Sequence, residues 1–566
     1  MKQETFQRSF VCLALAFLLV VSQQVFAQDA DTLDVPQGYE TLNLAVSGDT
    51  TATGQPKNLN RVYRLERGGW YLLNGPVGTP KDAPLRIVAK KGDGPKPMLI
   101  PAVMEAGFAQ RAFLQGGDGE WRDLYVSGID NLGDQAKKNM FFLTGEETRH
   151  IIDNCFLDYD AQAFVRMGAP NQKLFVTNTI MRNALKTADP WEGIFIGARG
   201  GIQDTIFVQN STFYTAQYRP VHRYGGILKN VIFDHVTVYQ LGGVGGSTVG
   251  SFNFERVINL TFTNNLIIDL GVEADPVPKD PDLALADSLD HQIVPIDSLK
   301  ADSLAAEDQR NILIKNNVYG WTPEVLNWIN TTENAEVKLK PYVFHNVRTL
   351  RIINTFPKMV SENNIEEYPV FTDAPDPATI IAYANHRFTT NYSDENNPSI
   401  AADRNGTGDL AENPTSMGPA EDEYDFDYST TSQAYTHAEG GFPVGDLNWW
   451  PQKKSEWEAW VKTAVAFKGN SAPRDFTLKQ NYPNPFNPST MITYQLDTPS
   501  VVKLTVYNAI GQKVRTLVDA KRQNSGTHSV QWDGLDDANQ PVASGVYIYR
   551  LQAGNQVQMK KMMLMK

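Results

Sequence analysis

A chain of 566 residues with a formal net charge of −13 is long enough to fold as two or more compact units around a sizeable core. The acidic balance argues against nucleic acid as a partner. Only two cysteines, Cys12 and Cys155, are present, which excludes a disulfide framework and a cysteine metal site.

Residues 1–27, MKQETFQRSFVCLALAFLLVVSQQVFA, read as a secretory signal peptide. Lys2 and Arg8 precede an apolar run from Val11 to Val21, and Val25-Phe26-Ala27 forms a small-residue cleavage pattern. The run is short for a bilayer, and no later stretch is long and apolar enough to cross one, so no membrane span is expected after its removal. Cys12 lies midway in the run, which argues against a lipoprotein signal. Lys2, Arg8 and Glu4 sum to +1, so the processed chain sits near −14.

RGGWYLLNGPVGTPKDAPLRIVAKKGDGPKPMLIPA (67–102) reads as the first coil or two of a repeat that becomes plain further on. Six segments fall into register: IIDNCFLD (151–158), FVTNTIMR (175–182), FVQNSTFY (207–214), IFDHVTVY (232–239), FTNNLIID (262–269) and LIKNNVYG (313–320). Each carries Asn, or His235 once, between apolar runs, and LYVSGIDN (124–131) is aligned as an earlier copy with Gly128 at that position. Successive positions are 26, 24, 32, 25, 29 and 52 residues apart. Short β-rich runs at such a period, without helical periodicity, predict an all-β fold: a parallel β-helix over 28–465, with a β-propeller as the rival reading. A recurring asparagine can form a ladder of side-chain amides at one bend of such a stack. The gap of 52 is explained by 273–310, an Asp/Ala/Pro/Ser-rich insertion read as a solvated excursion. Beyond residue 320 the periodicity fades, and a tryptophan-rich helix with Ser455 and Glu458 at capping-box spacing is expected to plug the open end.

Residues 466–490 form a Pro/Asn-rich linker and lead-in arm, since the prolines of NYPNPFNPST permit neither helix nor central strand. Short alternating strands over 491–566 (MITYQL, VVKLTVYN, HSVQW, GVYIYRL, QVQMKKMMLMK) predict a small Ig-like β-sandwich. FTLKQNYPNPFNPST, VVKLTVYNAIGQKVRTL, SGVYIYRL and the Lys-rich tail together resemble the C-terminal sorting domain of the bacterial type IX secretion system over roughly 474–566. The resemblance implies delivery by that secretion machinery to the medium or outer surface of a Gram-negative bacterium, while an ordinary Ig-like accessory domain remains the alternative.

The middle of the chain, about 40–465, resembles the right-handed parallel β-helix superfamily of pectate lyases and chondroitinase-type lyases in GDT…YRLERGGWYLLNG and the Asn-bearing coils. That superfamily includes lyases, hydrolases, epimerases and adhesins, so the resemblance leaves lyase-type cleavage and non-catalytic surface adhesion both open; an extracellular, anionic polysaccharide as partner is suggested by arginines on an acidic chain. A second set of strands, AFVRMGA, IFIGARGG, RPVHRYGG and SFNFERVI, places Arg166, Arg199, Arg223 and Arg256 at comparable offsets. The first three are expected to stack about 5 Å apart, which is costly unless anions sit against them. Cleavage of a uronate needs a cation on the carboxylate, a base for the C5 proton and an acid for the leaving oxygen. Arg219, His222, Arg223 and Lys186 are the catalytic candidates; Arg166, Arg199, Arg182, Trp191, Tyr214 and Tyr224 are the substrate-binding ones. The same arginines could instead bond loop carbonyls or pair with neighbouring carboxylates. YRPVHRYGG resembles the pectate lyase signature Arg-x-Pro-x-x-Arg but is one residue short, and no aspartate cluster for that family's calcium is evident. Calcium is raised only by Asp403, Asn405 and Asp409 in DRNGTGDL, where Thr407 and Pro414 replace the acids an EF-hand requires; a plain Gly/Asp turn is the other reading.

Overall fold

The repeat asparagines owe their place to backbone geometry. Asn154, Asn178, Asn210, His235, Asn264 and Asn316 all have φ between 45° and 59°, the left-handed region where a short polar side chain is least penalised. Asn154, Asn178, Asn264 and Asn316 mark the corner between two short strands, and Asn210 and His235 lie within the long strands Gln203–Ala216 and Leu228–Leu241; the segments on either side pair with their counterparts one repeat away. The computed structural model describes residues 31–51, 55–104, 107–108, 111–130, 138–185, 192–242, 251–272, 277–278, 292–299, 305–333, 337–389, 424–469, 476–496, 500–508, 512–524, 526–553 and 556–565. The expected signal peptide and the DRNGTGDL loop with Asp403, Asn405 and Asp409 lie outside them.

The chain divides into two compact units, Met1–Trp460 and Val461–Lys566. The first is built on a 20-stranded parallel sheet and a five-stranded parallel sheet. In the large sheet Arg149–Asp153 pairs with Lys173–Thr177, and that with Gln203–Ala216. Leu228–Leu241, Val257–Thr263, Asn311–Lys315 and Met359–Glu362 follow in turn. Register aligns Ile87, Trp121, Ile152, Val176, Val208, Phe233, Phe262 and Ile314 in one column, all 0–1 % exposed. Burying side chains of this size contributes roughly 1.5–3 kcal/mol each. The five-stranded sheet supplies Phe113, Phe141, Val165, Ile196 and Val221 to the same core, with Trp121 edge-on to Phe141 at 4.9 Å.

The amide ladder is real but mixed. Asn154, Asn178 and Asn264 donate to Asp123, Asp153 and Asp234 of the adjacent rung at 2.7–2.8 Å, whereas Asn264, Asn316 and Asn363 bond amide to amide. Asp123 (φ 63°) is therefore the earlier rung position, and Gly128 aligns with Tyr159 of a second left-handed column instead. Within the expected 28–465 the stack runs one rung past the last aligned segment, to Met359–Glu362 and Ile365–Glu366 with Asn363 (φ 55°) at the corner.

Other expectations are corrected. Part of the insertion is not solvated: Ile293, Val294 and Ile296 are core residues, and the fully buried Arg310 donates to the carbonyls of Val257, Asp297 and Glu255. Residues 279–291 of that insertion lie outside the described set. The late helix spans Pro451–Gly469, so Ser455 sits inside it, donating to the Pro451 carbonyl, and forms no capping box. Nor does this helix cover an end, for Trp457 packs on His235 in mid-stack at 5.1 Å.

The helix continues a strap that crosses the left-handed column rung by rung. His437 meets the Asn363 carbonyl at 2.8 Å, and the Glu439 amide donates to the Asn264 side chain at 3.0 Å. Asp446 bonds Thr237 and Thr212, Asn448 bonds the Asn210 carbonyl, and Lys454 reaches Asn178 at 2.7 Å.

The second unit is a two-sheet sandwich. Phe476–Leu478, Thr490–Leu496 and Gly526–Trp532 form one antiparallel sheet. Lys513–Gln523, Ser500–Asn508, Gly545–Ala553 and Gln556–Leu564 form the other. Trp532, Tyr494, Tyr549 and Leu504 are fully buried between them. The proline-rich segment is tied down: Asn481 bonds Thr490 and the Pro483 carbonyl, and Phe486 packs on Trp532 at 5.5 Å. No described helix is long and apolar enough to cross a membrane.

Candidate functional site

Strand alternation sorts the five-stranded sheet into an inner and an outer face. Pairing aligns Leu114, Phe142, Arg166, Gly197 and His222 in one column, between core columns on either side. That column faces outward because its neighbours Phe141, Val165, Ile196 and Val221 fill the core. Around it gather charges and rings that the sequence scatters over more than a hundred residues.

Tyr224 is the centre of the group. The Arg166 and Arg199 guanidiniums lie 5.3 and 5.2 Å from its ring centroid, within cation–π range. Arg166 also donates to the Tyr224 hydroxyl at 3.0 Å and to Glu192 at 3.1 Å. The His222 ring meets Tyr224 edge-on at 4.2 Å and Tyr218 at 5.3 Å, and Arg219 lies 4.5 Å over Tyr218. At the other end Arg111 lies 4.7 Å over Phe142. The ring faces are held by cations and the ring edges by one another.

The electrostatics follow from that crowding. Burial, and then Arg219, Arg223 and Arg166, push His222 down to about 3, so its imidazole is neutral at physiological pH. Burial and the neighbouring Arg166 also lower Arg111. Burial pushes the Tyr224 phenol up to about 12 and the Asp160 carboxyl, which accepts the Met140 and Gln162 amides, up to about 7. The side chain that pairs with Arg166 as an acid is Glu192.

The expected ladder of three arginines does not form. Arg223 aligns with Ala198 and Met167, one position out of phase with Arg166, and a one-residue offset sends the side chain to the opposite face. There it is 8 % exposed and pairs with Glu255 and the Gly226 carbonyl. Arg199 follows the strand end and is exposed, and Arg256 falls in the turn before Val257–Thr263. Arg166, Arg199, Arg219, His222 and Tyr224 are thus brought together, without Arg223.

Arg182 and Tyr214 belong elsewhere. Arg182 is 0 % exposed, paired through two nitrogens with the equally buried Asp158, and bonded to the Tyr214 hydroxyl at 3.2 Å. The Tyr214 ring is covered by Phe426 at 5.1 Å. Both were expected to bind substrate; burial inside an ion-pair network removes them from it. Lys186 and Trp191 lie outside the described residues. The residues not anticipated are Arg111, Phe142 and Asp160; MFFLT (140–144) aligns with FVRMG (164–168) when the strand pattern is extended one repeat back, placing Phe142 opposite Arg166.

Among the described residues no group of three His, Cys, Asp or Glu is placed to hold a metal ion. A separate cleft of about 630 Å³, lined by Lys81, Asp82, Arg86, Asp118, Glu146 and Glu147 among others, mixes both signs of charge and lacks aromatic walls.

Residues 486–556 match the family of FlgD Ig-like domains, which agrees with the sandwich of the second unit. No curated protein matches the chain. Among solved structures, one of PorZ, described as an essential bacterial surface component of the type IX secretion system of Porphyromonas gingivalis, matches at 19 % identity. That match spans 15 % of this chain and 11 % of PorZ with a TM-score of 0.12, too low to bear on fold or function.

Proposed function

We propose that this chain is an exported right-handed parallel β-helix protein that binds an anionic polysaccharide on the outer face of its five-stranded sheet. Its C-terminal module serves as a type IX sorting domain that delivers it to the medium or the outer surface. The observation that carries the binding reading is the Tyr224 ring flanked by Arg166 and Arg199 beside a neutral histidine, on a chain of net charge −13. Cations concentrated against a net negative background select an anionic partner.

A second reading, β-elimination, is favoured by the His222 Nδ1 atom, which is buried and has no hydrogen-bond partner among the described residues. As a neutral base it would accept the C5 proton of a uronate while Arg166 or Arg219 neutralises the carboxylate. The C4–O bond then breaks, C4=C5 forms, and the leaving oxygen takes a proton from Tyr224 or water. One experiment separates the readings: the purified protein is incubated with polygalacturonate, dextran sulfate and neutral dextran. Salt-sensitive binding of the two polyanions supports the site, and loss of roughly tenfold or more in affinity for Arg166→Ala places it at this face. Ultraviolet absorbance of an unsaturated uronate adds elimination. Binding without it leaves a non-catalytic surface adhesin, and absence of all binding refutes the proposal.

A further inference from the structure

Arg166 is paired in an incomplete way. One terminal nitrogen carries its contacts to both Glu192 oxygens, at 3.1 and 3.4 Å, and to the Tyr224 hydroxyl at 3.0 Å. Its Nε is buried and has no hydrogen-bond partner among the described residues. A guanidinium binds carboxylate or sulfate best through two parallel N–H groups, whereas Glu192 is held through a single terminal nitrogen and leaves the Nε–H of the side-on edge unsatisfied. Arg111, close enough for Arg166 to perturb it, likewise has a buried Nε without a partner among the described residues.

Beside that edge stands Gly197, whose column neighbours Arg166 and His222 both carry side chains. A Cβ built there would stand 3.9 Å from Arg166 Nε and 3.6 Å from the Tyr224 ring. The two unsatisfied Nε atoms, the glycine beside one of them and a carboxylate held through one nitrogen describe a half-used anion seat.

Resting on the polysaccharide reading above, we propose that Glu192 is the site's built-in competing anion. It occupies Arg166 weakly in the free protein and is displaced when a carboxylate or sulfate of the ligand takes the Nε edge over Gly197. Glu192 thereby sets selectivity, holding off weakly charged chains and yielding to polymers that present an anion side-on.

The test compares wild type, Glu192→Gln and Glu192→Asp for binding to polygalacturonate, dextran sulfate and neutral dextran at two salt concentrations, with thermal unfolding of each to confirm the fold. Glu192→Gln is expected to bind both polyanions at least about fivefold tighter, because the competitor's charge is gone while its shape remains. Glu192→Asp should stay near wild type, and dextran should be unaffected. Wild-type binding that Glu192→Gln leaves unchanged or weakens would overturn this inference while leaving the polysaccharide reading standing. If none of the three proteins binds either polyanion, the underlying reading fails, and this inference with it.

Discussion

Replacing Asp269 by asparagine isolates the cost of a carboxylate buried at a rung corner. Asp269 is 0 % exposed, has φ 53°, and accepts from the Thr322 amide at 2.8 Å and the Thr322 hydroxyl at 3.0 Å. Burial raises its carboxyl from 3.8 to about 7 despite those bonds. Between those two values the folded protein holds a proton that the unfolded chain has released, so the parent loses stability as pH rises from about 4 to 7 and levels off above. A shift of about three units at ~1.4 kcal/mol each sets the full loss at roughly 4 kcal/mol. Asparagine keeps the left-handed corner, still accepts from the Thr322 amide, and can donate to the Thr322 hydroxyl, so the charge is the main thing removed. Urea denaturation of parent and variant from pH 4.5 to 8.5, followed by tryptophan fluorescence, should show similar stability at the acid end. At pH 8 the variant should lead by about 2–4 kcal/mol. Asp160 and Asp446, pushed up to about 7 and about 6 by burial, are unchanged in both proteins and cancel in the difference. Parallel curves for the two proteins would refute the reasoning.

Arg182→Leu strands the buried Asp158 carboxylate and should cost about 3–5 kcal/mol in the same assay, without the selective loss of polyanion binding expected of Arg166→Ala. Asn316→Val should cost roughly 2–3 kcal/mol, since valine tolerates the left-handed corner poorly and two amide bonds to neighbouring rungs disappear. Gly197→Ala adds a Cβ at ordinary contact distances of 3.5–3.9 Å and should leave the unfolding free energy within about 0.5 kcal/mol of wild type. A midpoint drop of several degrees would show the position to be packed shut.

The rungs were legible because one backbone requirement recurs. Asn154, Asn178, Asn210, Asn264 and Asn316 stand where L-residues are strained, and few residue types fit. Where the requirement was met by an aspartate, at Asp123, the pattern slipped to Gly128, five residues on. Arg166, Arg199 and Arg223 looked equivalent because spacing in sequence does not reveal on which residue a strand pairs. One position of phase separated Arg223 from the outer face. The fate of Arg182 was legible, by contrast: IIDNCFLD and FVTNTIMR place Asp158 and Arg182 at the same position one repeat apart, and the strand register makes them neighbours. Phe142 and Arg111 lie one and two repeats before AFVRMGA, where that strand pattern starts. The Ig-like unit read more easily, since its alternation is local and its turns are short, though Lys513–Gln523 and Phe476–Leu478 were not counted among its strands.

The strap has a consequence for how the first unit comes apart. Rungs that touch only their neighbours would melt piecemeal from an end, as linear repeat arrays do. Lys454 to Asn178 and Asp446 to Thr212 are bonds across 276 and 234 residues. Such bonds close only after several rungs already stand, and they release only when those rungs are lost. The last part of this unit to be synthesised therefore acts as its latch, coupling the fraying of distant rungs into one concerted event.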